Sequence, residues 1–214
     1  MAQTAQQHPA KRRTASKQER RTQLIKATIN TIARHGLSDT TIATVAKEAK
    51  LSQGIINLHF KSKELLLVET LRYVVDEYRV AWETALEHAG ETNAEKLAAL
   101  VEADFQPRVC DRNKLAVWFA FWGESKSRPT YRKLCAERDR HYEEMLEQLC
   151  AELILEGAYP GLNAKIVSSG LAAMSEGLWL DMLLTPSEMS REQACKVCMA
   201  YLASAFSKHF DVKH

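Results

Sequence analysis

Glycine and proline are scarce in this 214-residue sequence, with 8 and 5 copies. Because these two residues interrupt regular structure most often, their scarcity predicts long elements joined by short loops. No segment alternates apolar and polar residues as a strand does, whereas apolar residues recur at helical spacing along most of the chain. The sequence therefore predicts an all-α protein of about nine helices.

Other features are absent as well. No apolar run approaches the roughly 18 residues of a membrane span, and the polar N-terminus lacks the apolar region of a secretory signal. The five cysteines are scattered and odd in number, which favours a reducing cytoplasm over a disulfide framework. No phosphate-binding glycine loop, metal-ligand motif or hydrolase motif occurs, so we expect no cofactor, no metal ion and no enzymatic activity.

Charge is distributed unevenly along the chain. Residues 1–63 hold 12 Lys and Arg against 3 Asp and Glu, whereas residues 64–214 hold 17 against 24. A basic first third on an acidic remainder predicts an anionic partner for the first third, either nucleic acid or a membrane surface, although a solvated tail is the simpler explanation for Lys11, Arg12 and Arg13 alone.

Cap residues and apolar stripes place the predicted helices. Residues 1–16 form a polar, basic tail that we expect to be disordered. Ser52 is a suitable N-cap for the third helix, and Thr92 and Ser190 each begin a capping-box pattern. The predicted helices are 17–35, 41–49, a short one after Ser52, 63–88, 92–105, 113–126, 129–156, 164–184 and 190–209.

The second and third helices are short, lie in the basic segment and are separated by a turn of three to four residues. This is the outline of a helix-turn-helix, in which the third helix enters the major groove of double-stranded DNA. Gly54 allows close approach to the DNA backbone, and Ile56 and Phe60 are spaced to anchor the helix. A solvated three-helix cap is the alternative. The predicted DNA-binding residues are Lys11, Arg12, Arg13, Thr40, Thr41, Ser52, Gln53, Gly54, Ile55, Asn57, His59, Lys61 and Lys63.

The segment "TTIATVAKEAKLSQGIINLHFKSKELLL" resembles the DNA-binding segment of TetR-family repressors over about 50 residues. Two positions depart from that pattern: Lys50 stands where the turn glycine is usual, and Asn57 replaces a frequent tyrosine. The residues that match in order and spacing are Gly36, Thr40, Thr41, Val45, Ala46, Ala49, Ser52, Gly54, Phe60, Lys63 and Leu66. The resemblance implies a helix-turn-helix domain at 17–62, a helical ligand-binding and dimerisation domain at 63–214, and homodimers on a pseudo-palindromic operator.

Shorter stretches, "AVWFAFWGESKSRPTYRKL", "SEGLWLDMLL" and "QGIINLHF", resemble the BetI-like branch of that family, the repressors of choline-to-glycine-betaine genes. This resemblance implies a small quaternary ammonium effector. A regulator of another pathway with a different effector is the alternative.

Aromatic residues in the second half suggest where such an effector binds. Trp118, Phe121 and Trp122 lie at i, i+3 and i+4 of one helix, and ring faces attract a quaternary ammonium group. An aromatic core is the alternative. We expect Tyr131 and Trp179 to lie near these rings in the ligand pocket. Glu124, Glu176 or Asp181 would supply the nearby carboxylate.

The last two helices are the predicted dimer interface. Ala194, Cys198, Tyr201 and Ala205 recur at helical spacing on the last helix, and residues 168–177 of the helix before it include small residues that allow close packing. The alternative is that these residues pack inside one subunit. A second class of function, a thiol-redox enzyme that uses Cys195 and Cys198, is disfavoured by the apolar helical context of the two cysteines.

Overall fold

The computed structural model describes residues 16–211, apart from the side chains of residues 137–139. Within that part of the chain all regular structure is helical, as the sequence predicted. The elements are α1 (Lys17–His35), α2 (Ile42–Ala49), α3 (Gln53–His59), α4 (Lys63–Glu87), α5 (Asn93–Asp104), α6 (Arg112–Glu124), α7 (Pro129–Gly157), α8 (Ala164–Leu184) and α9 (Arg191–Ala205).

Side-chain caps begin most of these helices. The predicted capping boxes at Thr92 and Ser190 are both formed, with Glu95 and Gln193 as the returning side chains. The last helix, in contrast, ends at Ala205 rather than at residue 209. The backbone N–H of Lys208 donates to the Tyr159 hydroxyl over 2.7 Å instead of to a helical carbonyl, which accounts for the early end.

Helices α1 to α3 pack around a small core at the N-terminal end of the molecule. Leu24 and Ile32 of α1, Val45 of α2 and Ile56 of α3 are all buried. Helix α1 also packs against α4 and α6. The N-terminal helices are thereby seated on two elements that continue into the rest of the chain.

The larger C-terminal part is a bundle in which α4, α5, α6, α7 and α8 pack on one another, with α9 against α5 and α8. Its core is rich in large aromatic side chains, since Trp118, Phe121, Tyr131 and Trp179 are all buried. Among residues 16–211, no helix is both long enough and apolar enough to cross a bilayer.

Candidate functional site

The turn between α2 and α3 sets the direction of the third helix. Lys50 adopts the left-handed conformation, with φ 55° and ψ 43°, as expected for a position where related sequences use glycine. The backbone N–H of Leu51 returns to the carbonyl of Ala46 over 2.9 Å. Ile56 and Phe60 are 0% and 2% exposed, so their predicted anchoring role is confirmed and α3 lies with its other face outward.

The outward face of α3 is polar around one apolar side chain. Ser52 sits at the N-cap without a capping hydrogen bond from its side chain, and Leu58 is 76% exposed. A Cβ added at Gly54 would meet only the Ser52 Oγ, at 3.8 Å. Gln53, Gly54, Asn57 and Lys61 are also exposed, and Ile55 is half-buried. This face has the donors and acceptors, the methyl groups and the open backbone that a major groove can accept.

In the C-terminal bundle a carboxylate is buried among aromatic rings. Asp104, at the end of α5, is 1% exposed. Tyr78 of α4 donates to its Oδ1 over 2.8 Å and Tyr142 of α7 donates to its Oδ2 over 2.9 Å. The indole N–H of Trp179, from α8, donates to the Asp104 backbone carbonyl over 3.0 Å. Four helices thus meet at Asp104, and we call Tyr78, Asp104, Tyr142 and Trp179 the aromatic cage.

The rings of the aromatic cage meet edge to face. Tyr78 lies 5.5 Å from Tyr142 and 5.7 Å from Trp179 between ring centroids. Burial, reinforced by the charge of Asp104, raises the pKa of Tyr142 well above its usual value, so the phenol stays protonated and donates. A cavity of about 20 Å³ adjoins the rings and is also lined by Glu143, Ala172, Ser175 and Glu176.

Known protein families match both the N-terminal helices and the C-terminal bundle. Residues 24–70 match the family model of bacterial regulatory proteins of the tetR family, and residues 93–207 match the model of the C-terminal domain of BetI-type transcriptional repressors. The chain is 36% identical over 186 residues to the HTH-type transcriptional regulator BetI of Burkholderia thailandensis, covering 86% of this chain and 91% of that protein. The chain belongs to the BetI-type branch of the TetR family.

Other relatives extend this result. The regulator BetI of Stenotrophomonas maltophilia is 32% identical over 183 residues, with 86% and 91% of the two chains covered. A crystal structure assigned to a transcriptional regulator of Pseudomonas aeruginosa PAO1 superposes with a TM-score of 0.79 at 25% identity, over 94% of this chain and 99% of that one. A regulator from Saccharomonospora viridis, whose structure holds choline, superposes with a TM-score of 0.76 at 24% identity, over 86% and 96%. The fold is that of TetR-family regulators.

Within this TetR-family fold, one residue that was predicted to contact DNA is buried. Thr40 is 1% exposed and its hydroxyl donates to the carbonyl of Gly36 over 2.8 Å, so it closes the loop before α2 and does not face outward. Thr41 is exposed and caps α2. His59 and Lys63 are half-buried, and Lys63 reaches the carbonyl of Ser38 at 3.4 Å. Lys11, Arg12 and Arg13 lie outside the described residues.

The predicted ligand residues do not form one pocket. Trp179 belongs to the aromatic cage, Glu176 lines the cavity beside it, and Trp118 is next to it, 6.4 Å from Tyr78. Trp122 packs behind Trp118, at 6.0 Å. Phe121 points about 100° around the helix axis from Trp122. Phe121 therefore lies away from the aromatic cage, together with Tyr131 and Glu124.

That second place is a cavity beside the start of α4. Phe121 meets Tyr131 edge to face at 4.8 Å, and Tyr131 and Glu124 line a space shared with Lys63, Glu64 and Arg128. Phe121, Tyr131 and Glu124 therefore lie apart from the aromatic cage, because the two sides of α6 face different neighbours.

The predicted dimer residues mostly face inward. Ala194 and Cys198 are 0% exposed within a single chain, so they cannot form a subunit interface. Tyr201 donates to the carbonyl of Val167 over 3.1 Å, and it packs between α8 and α9 of one chain; Ala205 is half-buried. The alternative that these residues pack inside one subunit is correct for Ala194 and Cys198, whereas Tyr201 and Ala205 are only half-buried.

The cysteine pair lacks the properties of a redox centre. Burial raises the pKa of Cys198 to about 11 and also raises the pKa of Cys195. Reactive cysteines have lowered pKa values, because the thiolate is the nucleophile. Ser175 lies 3.7 Å from the Cys198 Sγ, inside the protein core.

Sequence reasoning missed Tyr78, Asp104 and Tyr142. A signal for Asp104 was present, because it completes the stripe of Leu97, Leu100 and Val101 on α5 at helical spacing. A carboxylate in an otherwise apolar stripe is a candidate functional residue, since an ionised group is buried only where partners hold it.

Proposed function

We propose that this chain is a cytoplasmic, homodimeric repressor of choline and glycine betaine genes. In this proposal α3 of each subunit binds one half of a pseudo-palindromic operator. A small quaternary ammonium compound, with choline as the first candidate, enters the aromatic cage and releases the DNA. The burial of Asp104 among Tyr78, Tyr142 and Trp179 is the observation that carries the proposal.

The chemistry of the aromatic cage suits a quaternary ammonium group. Such a group cannot donate a hydrogen bond, so proteins recognise it through ring faces and negative charge. Asp104 supplies the charge, and the hydroxyls of Tyr78 and Tyr142 keep its oxygens hydrogen-bonded. The choline complex of the Saccharomonospora viridis regulator, whose fold is the same, is consistent with this assignment.

The cavity beside the aromatic cage, at about 20 Å³, has room for a water molecule but not for a trimethylammonium group. Binding therefore requires the rings to move apart. A ligand that fits only an expanded site favours a conformation other than the closed one, which is the requirement for an effector that changes affinity elsewhere. The closed state described here is then the one that binds DNA.

The DNA contacts divide into two groups in this proposal. Gln53, Asn57 and Leu58 face outward from α3 and would contact base edges. Thr41, Ser52, Gly54 and Lys61 are exposed around them and would contact phosphates. Ile55, His59 and Lys63, which are half-buried, would contribute from the edges, and Lys11, Arg12 and Arg13 would add charge from the preceding segment.

An exposed stripe on α8 supports a dimer interface through the last two helices, formed by other residues of these helices than the four predicted on α9. Leu180, Ile166 and Leu184 are 38%, 72% and 67% exposed. The stripe consists of Ile166, Ser169, Ala173, Gly177, Leu180 and Leu184, and we call it the α8 stripe. On α9 the outward residues Gln193, Val197, Ala200 and Ser204 run beside it. Small residues between large apolar ones allow close helix approach, and two-fold symmetry would place two α3 helices on successive major grooves.

Calorimetric titration with choline, betaine aldehyde and glycine betaine tests the effector. We expect Asp104→Asn to weaken binding of the preferred compound by about 10- to 100-fold, because a hydrogen-bonded charge is lost from a buried site. Tyr131→Phe is the matched control, since it removes a buried phenol outside the aromatic cage. Absence of binding by all three compounds, or equal losses in the two variants, would reject the choline assignment and leave a regulator with another effector.

A further inference from the structure

Arg21 joins three elements through one side chain. It lies on α1, and its Nη1 donates to the carbonyl of His59, the last residue of α3, over 3.1 Å. Its Nη2 pairs with Glu69 Oε2 on α4 over 2.6 Å. The guanidinium carbon also lies 4.4 Å from the centroid of the Phe60 ring.

Each contact uses a different property of the guanidinium group. The carbonyls at the end of a helix carry partial negative charge, and a cation there satisfies them. The ring face of Phe60 attracts the flat cation. The fork of donors reaches the His59 carbonyl and Glu69 at once, which a lysine ammonium on one stem cannot do with the same stacking.

Helix α3 depends on such anchors. It has seven residues, and Ile56 is its one buried residue. A helix of two turns is not stable alone, so its orientation is set by what holds its ends. The N-terminal end is held by the turn at Lys50, and the C-terminal end is held by Phe60 and Arg21.

We propose that Arg21 is the positioning residue of α3, and that through Glu69 it fixes the orientation of α3 to that of α4. The inference rests on the proposed role of α3 as the helix that reads DNA. Arg21 itself contacts no base in this account. Tyr78 of the aromatic cage lies on α4 nine residues after Glu69, about 13.5 Å along the helix axis. One helix therefore links the aromatic cage to the ion pair between Arg21 and Glu69.

The test compares variants on two DNA duplexes, one selected by the wild-type protein from a random pool and one with a scrambled sequence. Arg21→Gln should weaken binding to the selected duplex by about 10- to 100-fold, because hydrogen bonds to a charged group are lost. Binding to the scrambled duplex should change by less than about threefold, because that binding depends mainly on charges that face phosphate. Arg21→Lys should show an intermediate loss.

Arg20→Gln is the matched control. It removes the same charge from the adjacent position of α1, where the Arg20 side chain donates to Gln23 over 2.6 Å. We expect its affinity for the selected duplex to stay near that of the wild type. The slope of log affinity against log salt should be unchanged in Arg21→Gln, whereas loss of a phosphate contact would reduce it by about one.

Glu69→Gln decides between the two roles of Arg21 by the sign of its effect. If Arg21 positions α3, this variant weakens binding to the selected duplex, and Arg21→Gln/Glu69→Gln binds no worse than Arg21→Gln alone. If Arg21 contacts phosphate, freeing it from Glu69 strengthens binding, and the proposal is overturned. If thermal melting shows that Arg21→Gln is unfolded, the sign of the Glu69→Gln effect alone still decides between the two roles.

Gln53→Ala on the same duplexes separates the two levels of inference. If Gln53→Ala changes base preference while Arg21→Gln binds as the wild type does, only the positioning role fails. If Gln53→Ala leaves base preference unchanged, the proposed role of α3 in reading DNA is wrong, and the positioning role of Arg21 that rests on it is wrong as well.

Discussion

The side-chain amide of Asn113 donates to the side-chain oxygen of Asn30 over 3.1 Å, which joins the first turn of α6 to the middle of α1. Asn30 donates in turn to Glu48 of α2 over 3.1 Å. Beyond the other end of α6, Arg128 pairs with Glu64 of α4 over 3.2 Å. The first turn of the helix that carries Trp118 is therefore tied to α1 and α2, and the residue beyond its other end is tied to α4.

We expect Asn113→Ala to reduce the factor by which choline weakens operator binding, by about 2- to 10-fold, because one hydrogen bond between the two parts is lost. Choline affinity of the DNA-free protein should stay within about threefold of wild type. Asn93→Ala is the control, since Asn93 also begins a helix but bonds to Glu156, over 2.6 Å. Operator affinity measured with and without saturating choline gives the factor, and by linkage the same factor must appear in choline affinity with and without operator.

Leu180→Glu should produce monomers. It places a charge in the α8 stripe, and an unpaired buried charge costs several kcal/mol, enough to weaken dimerisation by more than about 100-fold. Val80→Glu is the control, because Val80 is 48% exposed on α4. Sedimentation velocity distinguishes the two species, and a dimeric Leu180→Glu would place the interface elsewhere.

Ala194→Glu should behave differently from Leu180→Glu. Ala194 is 0% exposed in the isolated chain, so a carboxylate there has no route to solvent and should unfold the subunit, not merely separate two subunits. Circular dichroism melts should show a large loss of stability for Ala194→Glu and folded monomers for Leu180→Glu.

Leu58 should contribute to base preference through the thymine methyl group, the apolar feature of the major groove. Replacing a contacted thymine by deoxyuridine in the selected duplex should weaken wild-type binding and leave Leu58→Ala unaffected. Lys61→Ala should weaken binding to every sequence alike and reduce the salt slope by about one. If deoxyuridine weakens DNA binding by the wild type and by Leu58→Ala equally at every position, Leu58 does not contact a thymine methyl group.

Thiol reactivity should be low in the folded protein. Burial raises the pKa of Cys198 to about 11 and those of Cys110 and Cys150 to about 12. At pH 8 a thiol of pKa about 11 is thiolate in roughly one molecule in a thousand, against about one in four for an ordinary cysteine. A disulfide reagent should therefore modify these three cysteines slowly at pH 8 and faster as pH rises toward 11. Rapid modification of Cys198 at pH 7 would instead support the alternative of a thiol-redox enzyme.

Helix positions and the outward face of α3 were predictable because their signals are local. Ser190 and Gln193 form a capping box within one turn. Lys50, which stands where the family pattern has glycine, takes the left-handed conformation. Thr40 was misassigned because its partner, the carbonyl of Gly36, depends on how the loop folds back. A sequence pattern that marks a residue as important does not say whether it faces DNA or the loop itself.

The aromatic cage could not be assembled from sequence because its contacts are distant along the chain. Tyr78 and Tyr142 lie 26 and 38 positions from Asp104, and Trp179 lies 75 positions away. The inward orientation of Ala194 and Cys198 was missed for another reason. Helix α9 has an inward stripe and an outward one, both with small and apolar residues, and periodicity alone does not tell which stripe covers its own core.

If the aromatic cage is the effector site as proposed, its small cavity has a consequence for the time course of induction. Because its cavity has room for little more than one water molecule, the encounter with an effector succeeds only in the moments when the rings have parted. Association should then be slower than the roughly 10⁵–10⁷ M⁻¹s⁻¹ seen when two rigid protein surfaces dock, and the same barrier slows escape. Each captured molecule would keep its repressor inactive for a long residence time, so that brief fluctuations in effector concentration are averaged before they reach the promoter.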